Sequence, residues 1–133
     1  MKSFLLVIAA SLILVTFKSI EQSIKNNNSV SFHVHKKDAR KLAEYYRMRV
    51  LRGESMSSIA KLYSEDAGSA SNGGLYNNVV RGMMVSEFEK VAFNLKPGEI
   101  SEVFETSYGF HFIQLLSRKG ETLSLRHLLI TKE

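Results

Sequence analysis

Apolar residues divide this chain before any motif is considered. Residues 4–17 form an uncharged, mostly apolar run between Lys2 and Lys18. Its length suits a signal-peptide core and falls short of the roughly 18 residues of a full membrane span. As a helix it would be apolar all round, unlike the one-sided stripe of a helix packed on a domain core. The pattern predicts an export leader over residues 1–20; cleavage and retention as a membrane anchor both stay open, because no Ala-x-Ala precedes a break. Residues 21–29 are polar apart from Ile24, carry Asn26-Asn27-Asn28, and read as a linker. Residues 30–133 switch between helical and strand periods and predict one domain.

Within that domain Val30, Phe32 and Val34 alternate with Ser31, His33 and His35, a short strand signal. Asp38 is placed to cap a helix running to about Arg52, with Ala39, Leu42, Ala43, Tyr46 and Val50 on one stripe and Gly53 to end it. Lys36 and Lys37 precede this helix, and Arg40, Lys41, Arg47, Arg49 and Arg52 read as its solvated outer face. Ser55 caps a shorter helix burying Met56, Ile59, Ala60 and Tyr63. Residues 68–74 are too poor in large apolar side chains for a helix or strand and predict a loop. A strand over 75–80 and a turn at Arg81-Gly82 follow. Ser86 and Glu89 have capping-box spacing for a helix through Phe93 and Asn94, its inner face Phe88, Val91 and Ala92. Pro97-Gly98 stops it. Strands are expected over 100–105, 109–116 and 123–130, with Thr106-Ser107-Tyr108 and a loop over 118–121 as connections. The sum is an α+β domain on an antiparallel sheet.

Composition narrows the function classes. With 133 residues and 44% hydrophobic content there is material for one core. The net charge of +5 is spread among acidic residues, so no nucleic-acid partner is expected. Absence of cysteine excludes disulfides, thiolate metal sites and a lipidated N-terminal cysteine. His33 and His35 share a strand face, but two imidazoles without a third ligand predict no metal site.

The motifs are concentrated between residues 63 and 112: Tyr63-Ser64-Glu65-Asp66, Gly73-Gly74, a Gly82 to Glu89 segment containing Met84 and Phe88, Ala92-Phe93, Leu95 to Ser101, and Gly109-Phe110-His111. In order and spacing these resemble the parvulin family of peptidyl-prolyl cis/trans isomerases over about residues 36–117. The resemblance implies a four-stranded antiparallel sheet with about four helices. Some parvulins read a phosphate with basic residues in the loop before the first helix; that loop is nearly absent here.

Isomerising an amide before proline breaks no bond; it requires a rotation barrier of about 18–20 kcal/mol to be lowered. An apolar seat for the ring and preferential binding of the twisted amide suffice, without nucleophile, metal or cofactor. The resemblance puts Met84 and Phe88 at the proline seat, where a polarizable thioether and a flat ring make a shape-tolerant slot; Tyr76 and Tyr108 count with them as substrate-binding. It puts Asp66 beside the rotating carbonyl and His111 beneath the site, paired with a second histidine from the first strand.

That second histidine is not settled by sequence. Ser31 to Lys36 offers His33, but the first-strand signature of the family appears instead at Arg126-His127-Leu128-Leu129-Ile130. The chain reads as a truncated tandem, as a parvulin permuted at the first strand with His127 in the site, or as a domain using His33 with an added edge strand. Pairing of sequential strands favours the permuted arrangement. The common Gly-Gly-Asp-Leu-Gly is here Gly73-Gly74-Leu75-Tyr76-Asn77, and Gly-Gln-Met is Gly82-Met83-Met84. The expected function is a foldase isomerase for unfolded or proline-containing polypeptides, exported to the periplasm or another extracytoplasmic site; the alternative is a non-catalytic domain that binds extended polypeptide as chaperone or scaffold.

Overall fold

The computed structural model describes residues 38–132. The leader, the linker, the strand expected over 30–34, and His33 with it lie outside the described residues. Asp38 caps α1 (Ala39–Leu51) by accepting from the Lys41 amide at 3.2 Å, and Gly53, at φ +107°, ends the helical path. Ser55 caps α2 (Met56–Tyr63) through the Ser58 amide. A short 3-10 turn at Ala70–Asn72 leads into β1 (Leu75–Val79), and α3 (Ser86–Ala92) precedes β2 (Phe104–Glu105), β3 (Gly109–Lys119) and β4 (Thr122–Thr131). Among the described residues there are thus three α-helices and one 3-10 turn, where about four helices were expected.

All strand pairs are antiparallel, in the order β1-β4-β3-β2. The C-terminal strand is therefore central, the placement that the permuted arrangement requires. β3 and β4 pair from Gly109↔Thr131 to Lys119↔Thr122, leaving only Gly120-Glu121 as the turn. The expected four-residue loop is shorter because Arg118 and Lys119 stay in the ladder, and Gly120 supplies the positive φ that a tight hairpin needs.

Strand alternation sorts two cores onto opposite faces of the sheet. Phe112, Leu128 and Ile130 pack with Ala43, Tyr46, Val50, Met56 and Ile59 under α1 and α2. Val79, Ile113, Leu115, Leu123 and Leu125 pack with Phe88, Ala92 and Phe93 of α3.

Three local expectations are corrected. The strand over 100–105 reduces to Phe104–Glu105 plus an isolated bridge, Ile100↔Gln114. Arg47 Nε draws the Ser101 carbonyl to itself at 2.6 Å, and Ser101 Oγ accepts the Ile113 amide at 2.9 Å in its place. Arg47 is accordingly not on the solvated face: its side chain is 15% exposed and also reaches Glu102 at 2.6 Å. The Ser86/Glu89 capping box does not form, because Val85 is the cap and Ser86 already lies inside the helix. Ser86 Oγ turns to Glu87, while Glu89 Oε1 accepts from the amides of Gly82 and Met84 at 2.6 and 3.1 Å, tying α3 to the loop before it.

Candidate active site

The loop that follows α2 is held at both ends by β4. At its start, Glu65 N–H donates to the Leu129 carbonyl at 2.8 Å, and Ser64 Oγ accepts the Leu129 amide at 3.1 Å. At its end, the His127 amide donates to the Gly74 carbonyl at 2.9 Å, and Arg126 Nη1 donates to the carbonyls of Asn72 and Gly73. The approach is close enough that a Cβ on Gly74 would lie 2.1 Å from the His127 carbonyl oxygen, so glycine is required there on steric grounds as well as for its φ of +74°.

Asp66 sits in this loop with its carboxylate drawn inward. Oδ2 accepts from Ser69 Oγ at 2.5 Å, Tyr76 OH at 2.9 Å and His127 Nε2 at 3.0 Å. The His127 hydrogen bond is the largest influence holding this carboxyl well below the usual carboxylate range; desolvation opposes it, and Ser69 and Tyr76 add to it. An ionised carboxylate only accepts, so His127 carries its proton on Nε2. Tyr76 is raised above its ordinary value, first by desolvation and then by its bond to Asp66, and keeps its proton as donor.

His111 and His127 come from adjacent strands and lie on one face, since His111 pairs with Leu129 and Ile113 with His127. Their rings stack at 5.7 Å between centroids, 17° apart, and each is only 4% exposed. Phe88 from α3 sets its edge against both, at 5.9 and 5.4 Å. Thr106 Oγ1 lies 2.8 Å from His111 Nε2 and accepts the Tyr108 amide. Burial pushes His111 down to about 4; the neighbouring His127 adds to this and the Asp66 charge opposes it.

Above these groups is a cleft of about 330 Å³ lined by Asp66, Tyr76, Met83, Met84, Val85, Phe88, Tyr108, His111, His127 and Leu129. Phe88 is buried at its floor, Met84 is half-buried, and Met83 and Tyr108 stand at the rim, 56% and 63% exposed. Seven of the eight side chains singled out from sequence thus meet in one place, and the eighth, His33, lies outside the described residues. Ser69 and Thr106 were not anticipated. Ser69 carries a faint signal, lying three residues after Asp66 as in side-chain-closed turns; Thr106 carries none.

Residues 13–117 match the family described as rotamase, PPIC-type PPIase domain. The chain belongs to that PPIase-domain family. The matched span ends before β4, so His127 comes from a strand beyond it. Among curated relatives, the foldase protein PrsA 3 of Bacillus anthracis is 38% identical over 105 residues, covering 79% of this chain and 36% of the relative. The foldase protein PrsA of Geobacillus kaustophilus is 42% identical over 87 residues, 65% of this chain and 31% of the relative. The chaperone SurA of Nitrosococcus oceani is 41% identical over 78 residues, 59% of this chain and 18% of the relative. This PPIase-domain chain thus spans about a third of the length of the foldases it matches, and less of the chaperone.

Proposed function

We propose that the cleft seats the proline of an extended polypeptide against Met84 and Phe88 and speeds rotation about the preceding amide, as a peptidyl-prolyl cis/trans isomerase. The observation that carries this reading is the sharing of one cleft by an apolar wall and a single carboxylate held by three donors. The planar amide owes its double-bond character to charge moved from nitrogen to oxygen. An anionic Asp66 near that oxygen disfavours the separated charge and so favours the twisted amide. A neutral His111 leaves the Asp66 charge uncancelled from that side. No lysine or arginine lines the cleft among the described residues.

The substrates in this reading are unfolded or newly exported polypeptides, and relatives named foldase and chaperone accord with that class. The apolar run of residues 4–17 supports export to a periplasmic or other extracytoplasmic site, either as a cleaved leader or as an uncleaved membrane anchor. A protease-coupled or NMR exchange assay of the full chain on short peptides, varied at the residue before proline, tests the activity. Acceleration is expected for at least one peptide. Binding without acceleration for every peptide would overturn catalysis in favour of a polypeptide-holding role.

A further inference from the structure

Tyr76 lies on β1, just after Gly73-Gly74, and its phenol both packs and donates. Its hydroxyl donates to Asp66 Oδ2 at 2.9 Å, and its ring leans on His127 at 5.2 Å between centroids, tilted by 37°. The room for it comes from Gly68, where a Cβ would lie 3.0 Å from the Tyr76 hydroxyl. The other two donors to Oδ2 are Ser69, three residues along the same loop, and His127 from β4; Tyr76 adds a third from β1.

We propose that Tyr76 is a positioning residue: its hydroxyl fixes the Asp66 carboxylate and its ring fixes the His127 imidazole, so the two groups meet the peptide in one arrangement. The role rests on the isomerase reading for its purpose, but its geometry does not. The titratable groups facing Asp66 are His127, whose hydrogen bond dominates, Tyr76 itself, and His111, which feels the Asp66 charge across the ring stack. Loss of one donor to a charged acceptor weakens the ionised form, so Asp66 should titrate at higher pH without the phenol O–H.

The test is Tyr76→Phe in the full chain, which keeps the ring and removes only the O–H. Carboxyl carbon-13 NMR of Asp66 should show its titration midpoint rise by about one pH unit. By linkage the same one-unit rise should lower the thermal midpoint of unfolding at neutral pH by roughly 5–10 °C, and exchange kinetics should show kcat reduced several-fold at an unchanged KM. An Asp66 midpoint that stays in place would overturn the proposal. If Tyr76→Phe does not fold, Gly68→Ala reads the same contact from the other side. Its Cβ would lie 3.0 Å from the phenol oxygen and push it by a few tenths of an ångström, so an upward shift smaller than that of Tyr76→Phe is expected, and a midpoint unmoved or lowered refutes. A parent chain without isomerase activity would remove the kinetic readout while leaving the titration decisive, so the two readings fail separately.

Discussion

Lowering the pH from 7 to 5 should cost the folded domain about 2 kcal/mol through His111 alone. An ordinary histidine titrates at 6.5, and burial pushes His111 down to about 4. Below 6.5 the unfolded chain takes up a proton that the folded chain refuses. Stability therefore falls as the pH drops across that window and levels off below about 4. At about 1.36 kcal/mol per pH unit the full loss is of order 3 kcal/mol. The cause is local: the ring is buried and its Nδ1 has no partner among the described residues, so an imidazolium would bury an N–H with nothing to accept it. Asp66 does not contribute in this window. Its lowered pKa gives stability that is present above 3.8 and lost only as the pH falls below it. Urea unfolding of the full chain and of His111→Gln at several values between pH 7 and pH 5 isolates the effect from the other histidines. The parent should lose about 2 kcal/mol more than the variant, or roughly 1–2 M in urea midpoint. Parallel losses in the two proteins would refute the argument.

Deleting residues 123–133 should abolish cooperative thermal unfolding by circular dichroism. It removes Leu123, Leu125, Leu128, Leu129 and Ile130, each buried and worth about 1.5–3 kcal/mol, and unpairs β1 and β3; a melt near that of the parent would show that β4 is not central. Phe88→Ala should lower stability by about 3–5 kcal/mol in chemical denaturation, whereas Met84→Ala, half-buried at the cleft, should cost less and raise KM for proline peptides. Gly74→Ala should be far more damaging than Gly82→Ala: both glycines have positive φ, but only the first would meet backbone, at the His127 carbonyl. The second should cost about 1–2 kcal/mol of strain, and comparable melting temperatures would contradict the steric argument.

The parts of the fold legible in sequence are those with local causes. Asp38 and Ser55 cap their helices by reaching amides three residues on, and the letters suffice to find them. Ser86 and Glu89 have the same spacing, but the helix starts one residue too early for Ser86 to act as cap. The strand expected over 100–105 failed for a reason no local window contains. Arg47, in α1, takes the Ser101 carbonyl out of the ladder, and alternation around Ser101 carries no trace of it.

The site was legible to a similar depth. Order and spacing of the motif pieces, through the resemblance they carry, singled out Asp66, Met84, Phe88 and His111, which line one cleft, yet the second histidine depended on which strand lies beside β3, a nonlocal fact. The structure places β4 there, and its register decides the rest. A slip of one residue would turn His127 to the α1 and α2 face and bring Leu128 toward Asp66, leaving the carboxylate without its strongest donor. That register is set at the far end of the hairpin, where Gly120-Glu121 joins Lys119 to Thr122 with Gly120 at φ +59°. It is held at the near end by the Gly74 and Ser64 bonds to β4. A tight turn that lines no part of the cleft therefore belongs to the site as much as the loop that carries Asp66, because both fix which face His127 presents.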